Sequence, residues 1–119
     1  MNKDIYSALN FKIGEYLEVR KHEIIPIPPV GNLEVGIHPY EYFGEINTIL
    51  NLPTSRILLF YKSQTLVKVM LVFKRSLQKS LIEMLENLDA ELPNELQLSI
   101  QINESADCIE LVYHSGILQ

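Results

Sequence analysis

The chain has one cysteine, Cys108, and no tryptophan. A lone thiol excludes an intramolecular disulfide and any multi-cysteine zinc site, so a reducing compartment is the natural expectation. Glycine is scarce: Gly14, Gly31, Gly36, Gly44 and Gly116 are all there is. None stands in the spacing that cradles a dinucleotide or triphosphate, or that builds a hydrolase nucleophile elbow. Long apolar runs are missing too. The longest, 57–61 and 69–73, fall far short of the roughly 20 residues that span a bilayer. The opening Met-Asn-Lys-Asp places an acid where a secretory leader carries bases. The expectation is a cytoplasmic protein that does not enter membranes.

Charge of one sign is absent from a whole third of the chain. Residues 81–119 carry eight acids and no lysine or arginine. Residues 36–80 carry six bases and two acids, and residues 1–35 four bases and five acids, for a net charge of −5. Such a balance does not suit gripping a phosphate backbone, and no nucleic-acid partner is expected. A net +4 middle and a net −8 tail on the same chain favour self-association as a homodimer.

What is present is an ordinary globular composition, 47% hydrophobic and 21% charged over 119 residues. That length predicts a single domain, 1–119, with a core large enough to fold without metal or disulfide support.

Hydrophobic period divides the chain into elements. Ile5, Leu9, Ile13 and Leu17 recur every four residues and predict a helix over 4–20, although Gly14 weakens it. Pro26, Pro28 and Pro29 make the next stretch an extended connector or at most an edge strand, with a short strand following at 33–37. Pro39 suits a first helical position, and Tyr42 or Phe43, then Ile46, then Ile49 or Leu50 predict a second helix over 39–50. Residues 56–62 and 65–74 are rich in β-branched and aromatic residues and predict a hairpin. Ser63-Gln64 lacks the glycine of tight turns, which favours a loop of three or four residues. By alternation Val67, Val69, Leu71 and Phe73 share one face, and Leu66, Met70 and Val72 the other. A strand apolar on both faces is covered twice. Leu77, Leu81, Met84, Leu85, Leu88 and Leu92 form one stripe of an amphipathic helix over 76–92, with Ser76 as cap and Pro93 as stop. Leu96, Leu98, Ile100 and Ile102 alternate with polar residues, and 108–114 completes a second hairpin over 96–114.

The predicted fold class is therefore α+β: an antiparallel sheet of two hairpins, 56–74 and 96–114, an intervening helix over 76–92, and N-terminal helices packed on it. In size, acidity and order of elements the chain resembles the class I type III secretion chaperones, small acidic dimers that hold effectors. That resemblance implies a protein-holding role, and no residue assignment is carried over from it.

No reactive constellation stands out. His22, His38 and His114 are the only histidines, and no HExxH or cysteine pair adds ligands to His38 and Glu41. Cys108 and His114 share one strand face about 20 Å apart, too far for a thiol–imidazole pair. Glu83, Glu86, Asp89, Glu91 and Glu95 fit a solvated helix face and its tail. No enzyme activity, cofactor or metal is expected. Two clusters remain as candidate sites. Lys74, Arg75, Ser76 and Lys79 surround the start of the 76–92 helix, where bases are ordinarily unfavourable and an anion or acidic partner would offset them. Tyr40, Tyr42 and Phe43 crowd one short element and suit a protein interface. The leading expectation is a non-enzymatic protein-binding module of adaptor, chaperone-like or inhibitor type. The alternative is a small-molecule or anion-binding domain that uses the basic start of the helix.

Overall fold

A computed structural model describes residues 9–29, 34–86 and 96–115. Its strands are β1 (Ile24–Pro26), β2 (Ile37–Tyr42), β3 (Thr48–Ile49), β4 (Leu52–Pro53), β5 (Arg56–Lys62), β6 (Thr65–Lys74), β7 (Leu96–Asn103) and β8 (Cys108–Ser115). Among the described residues one α-helix, α1 (Gln78–Glu86), stands between β6 and β7. Six strands join in an antiparallel sheet of order β1-β2-β5-β6-β8-β7, and β3 pairs with β4 apart from it. Both expected hairpins are present, and the mixed, mostly antiparallel class is as expected.

The sheet is lined with apolar side chains on both faces because β5, β6 and β8 are. On the first face Ile57, Leu59 and Tyr61 lie beside Val69, Leu71 and Phe73, which lie beside Ile109, Leu111 and Tyr113. Leu81 of α1 is buried in this layer, with Leu77, Met84 and Leu85 packed against it. The predicted helical stripe thus faces the sheet as far as Glu86, and its expected continuation over 87–92 lies outside the described residues. The second face gathers Ile37, Leu58, Phe60, Met70, Val72, Cys108 and Val112.

Strict alternation fails at one place. Phe60 pairs with Lys68 but Tyr61 pairs with Leu66, so Val67 is the extra residue of a β-bulge. One added residue reverses the faces beyond it. Leu66 therefore joins the first-face core, and Val67 packs against the second, the reverse of the predicted assignment. The turn also differs. Lys62 pairs with Thr65, which leaves a two-residue turn in which Ser63 (φ 51) and Gln64 (φ 66) are both left-handed. That is the geometry whose twist matches paired strands. Leu17 N–H donates to the Gln64 carbonyl (2.8 Å) and helps to hold it.

The N-terminal helices are not found among the described residues. Residues 4–8 of the first lie outside them. From Leu9 to Arg20 the chain has only an isolated bridge, Tyr16 to Thr65, and a 3-10 turn, Leu17–Arg20. The reason is local. Gly14 is left-handed (φ 97), and its N–H donates to the Leu66 carbonyl while Leu66 N–H donates to the Glu15 carbonyl. These backbone groups bond across space to β6 instead of four residues along a helix.

The second predicted helix, over 39–50, is strand β2 followed by the small β3–β4 ladder. Pro39 was the misleading signal. Its carbonyl accepts the Ile27 N–H (3.1 Å), so its missing donor points toward β1 just where that strand has ended at Pro26. A proline is tolerated there at little loss. The connector containing Ile24–Pro26 is an edge strand, as its prolines predict. Ser76 does not cap α1 either. It lies inside the 3-10 turn Arg75–Leu77, and Lys74 precedes that turn without a side-chain cap bond.

Tyr61 supplies a pH test of the core. Its hydroxyl is buried and has no hydrogen-bond partner among the described residues. Burial, chiefly, pushes its pKa from 10.0 up to about 12. The folded state thus prefers the neutral phenol. The associated stability is fully present below 10.0 and is lost as pH climbs toward about 12. Tyr61→Phe should leave stability at neutral pH unchanged or raised by up to about 1 kcal/mol. Its urea midpoint should fall less than the wild type's between neutral pH and the middle of that alkaline window. Equal losses in the two proteins would refute the assignment.

Candidate functional site

The anion-site residues predicted from sequence are not brought together. Lys74 closes β6 on the second face of the sheet, with its side chain exposed. Arg75 begins the 3-10 turn and points to the β7–β8 connection: its Nη1 lies 3.5 Å from Glu104 and 4.0 Å from Asp107, and its Nε donates to Gln78 Oε1 at 3.1 Å. Ser76 is exposed, and Lys79 stands on the outer side of α1 beside Ile82 and Glu83. The change from strand to turn to helix sends neighbouring side chains in different directions. Arg75 is engaged by the acids of the turn.

The aromatic trio is split in the same way, because the period there is two. Tyr42 is buried, its ring edge-on to Phe11 at 5.0 Å and its hydroxyl accepting the Ile46 N–H at 3.1 Å. Tyr40 packs edge-on against Tyr61 at 5.4 Å. Phe43 turns outward and is 58% exposed. Tyr42 is a core residue and Tyr40 is half-buried against the core, so the three do not form one exposed cluster.

A depression of about 310 Å³ opens on the second face. Its floor is Leu58, Met70 and Val72, and its walls include Arg56, Lys74, Asn103, Cys108 and Glu110. The polar walls are held by cross-strand partners. Arg56 donates twice to the Glu41 carboxylate, at 2.9 and 2.8 Å. Those bonds hold the Glu41 carboxyl below its usual value and raise the Arg56 guanidinium. Glu110 is the one buried charged residue among those described. It accepts Gln101 Nε2 at 2.6 Å and Asn103 Nδ2 at 3.3 Å from β7. Cys108 is pushed up, by burial first and then by Glu110 and Asp107, so its thiol stays protonated at neutral pH and is a poor nucleophile. Among the described residues no group of three histidine, cysteine or carboxylate side chains could hold a metal ion. The depression can admit a small ligand, and the thiol in its wall is not activated.

The Gln101–Glu110–Asn103 cluster was invisible in sequence, since it depends on which residues of β7 and β8 stand opposite. Gln101 faces Glu110 directly, and Asn103 faces Cys108. Asn103 also accepts the Ala106 N–H at 3.1 Å and so shapes the turn.

The second unusual surface is the edge of the sheet. β7 reads Leu-Gln-Leu-Ser-Ile-Gln-Ile-Asn, with no charge and no proline. It pairs with β8 from Leu96↔Ser115 to Asn103↔Cys108 without a bulge. Among the described residues nothing pairs with its outer side. Ile100 and Ile102, on the face shared with Leu111 and Ile109, are 36% and 41% exposed. The uncharged run was legible in the sequence; that it lies at an edge was not.

Among the described residues no helix is long and apolar enough to cross a membrane. Compared with protein families, curated proteins and solved structures, the chain matches none.

Proposed function

We propose that the chain is a non-enzymatic protein-binding module that accepts an extended partner segment along β7. The observation that carries this reading is the outer edge of that strand, uncharged, unbroken and unpaired among the described residues. Edge strands are ordinarily guarded by lysine, proline, a bulge or shortness. β1, at the other edge, has two of those guards: it is three residues long and ends in Pro26. β7 has none of them.

An added strand would take the outward backbone N–H and carbonyl groups of β7 in ladder fashion. Its side chains would alternate between Ile100 and Ile102 on one face and Ser99 and Gln101 on the other. The partner segment is therefore apolar at every second position.

Selection from a random peptide library displayed against the full chain tests this. The expected result is enrichment of alternating apolar segments, lost with Ile100→Lys. No enrichment, or enrichment indifferent to that substitution, rejects the reading.

A further inference from the structure

We infer that the segment added to β7 is β7 of a second copy, in a two-fold antiparallel pairing that makes one continuous sheet across a homodimer. The inference rests on the proposal that β7 is the binding edge and adds the identity of the occupant.

Three features of the strand point to a copy of itself. The first is parity. In antiparallel self-pairing about a two-fold axis through a residue pair, position i+k meets position i−k of the partner. Odd positions then meet odd and even meet even. In β7 the even positions are Leu96, Leu98, Ile100 and Ile102, and the odd ones Gln97, Ser99, Gln101 and Asn103. Apolar therefore meets apolar, and amide or hydroxyl meets amide. With the axis at Ile100, that residue meets its own copy, Leu98 meets Ile102, and Ser99 meets Gln101. Both isoleucines of the strand, exposed in the single chain, thereby gain apolar cross-strand partners.

The second feature is charge. A strand that meets its own copy meets its own charges, and like charges directly opposite are destabilising. β7 avoids this because it carries no charge. An edge that awaited an unlike partner would gain from a complementary charge; a self-pairing edge gains from having none.

The third is closure. Two-fold pairing uses up the open edge of both copies. It leaves β1 at either end of the joined sheet, and β1 is short and terminated by Pro26. The assembly stops at two instead of growing into a fibre.

Sedimentation equilibrium on the full chain at tens of micromolar tests the inference. The wild type should have twice the monomer mass. Because β7 is uncharged, that mass should survive high salt. Ile100→Lys sets two ammonium groups against each other at the axis and should weaken the dimer by roughly tenfold or more. Ser99→Lys, on the opposite face of the same strand, should act in the same sense. Far-UV circular dichroism of both variants should match the wild type, since both sites are exposed. Amide exchange gives an independent readout: outward amides of β7 should be protected in the wild type and lose protection in Ile100→Lys.

A wild type that is monomeric throughout overturns the inference. So does a dimer indifferent to both lysines, one that dissociates in high salt, or a mass that keeps growing with concentration. The peptide selection is read separately. A monomer that still enriches alternating peptides removes the second copy as occupant while keeping β7 as a binding edge.

Discussion

Replacing Phe73 with alanine should lower the unfolding free energy by about 3–5 kcal/mol. Phe73 is fully buried in β6, the strand with β5 on one side and β8 on the other. It stands opposite Ile109 and belongs to the layer that includes Leu71, Leu111 and Leu81 of α1. Removing the ring loses its transfer free energy and leaves a cavity that the sheet cannot close, because backbone pairing holds both flanking strands at fixed spacing. A domain of this length has roughly 6–18 kcal/mol in total, so the loss is a large share. In urea, with a slope of about 2 kcal/mol per molar, the midpoint should fall by roughly 2 M. Ile102→Ala is the matched control. It lies on the same face but at the open edge, and should change stability by only about 0.5 kcal/mol in the monomer. Comparable losses at the two positions would mean that the layer is not where it has been placed.

Arg20→Ala should have the second-largest effect, about 2–4 kcal/mol, although residue 20 belongs to no strand and no α-helix. Arg20 ties the N-terminal segment to the sheet. Its Nε lies 2.7 Å from Glu15, its Nη1 3.5 Å from Glu23, and its Nη2 donates to the Asn10 carbonyl at 3.3 Å. The guanidinium also stacks over Phe11, 4.5 Å from the ring centre, with Tyr42 at 5.9 Å. Arg20 and Glu15 side chains are only 14% and 17% exposed, so removing one partner leaves the other charge poorly solvated. Arg20→Lys keeps the charge but loses the planar fork and the stacking, and should recover less than half of the loss. Arg20→Met with Glu15→Met should be more stable than Arg20→Ala alone, because no orphan carboxylate remains. Urea unfolding followed by tyrosine fluorescence measures all three. A fully tolerated Arg20→Ala would show that the segment from Leu9 to Lys21 docks without this residue.

The parts of the fold that were legible share one property: neighbours in sequence settle them. The 65–74 run is β-branched and apolar over a length no connector sustains, and it is a strand. The stripe Leu77, Leu81, Met84, Leu85 has helical period and packs as a helix up to the last described turn. Leu96 to Ile102 alternates and is a strand. What misled was equally local. Ile13 and Leu17 kept a four-residue spacing through Gly14, and Pro39 looked like a helix start, yet both segments satisfy their backbone groups with distant partners. On a helix Tyr40 and Tyr42 would crowd together with Phe43. In a strand the alternation turns them to the core face and sends Phe43 to solvent. The candidate site was less legible than the fold, since the amides around Glu110 come from another strand.

By itself, then, the amino-acid order determined which stretches are strand or helix where hydrophobic period is long and unbroken, and that no phosphate, metal or nucleophile motif is written along the chain. It also determined that 96–103 carries no charge. Only the tertiary structure decided that this uncharged strand is the last of the sheet among the described residues, that one bulge exchanges Leu66 and Val67 between faces, and that Gly14 and Glu15 bond to β6 instead of along a helix. The physical reason is range. Period and propensity act over a few residues, whereas edge, register and backbone partnership are set by residues distant in the chain that meet only when the sheet is assembled.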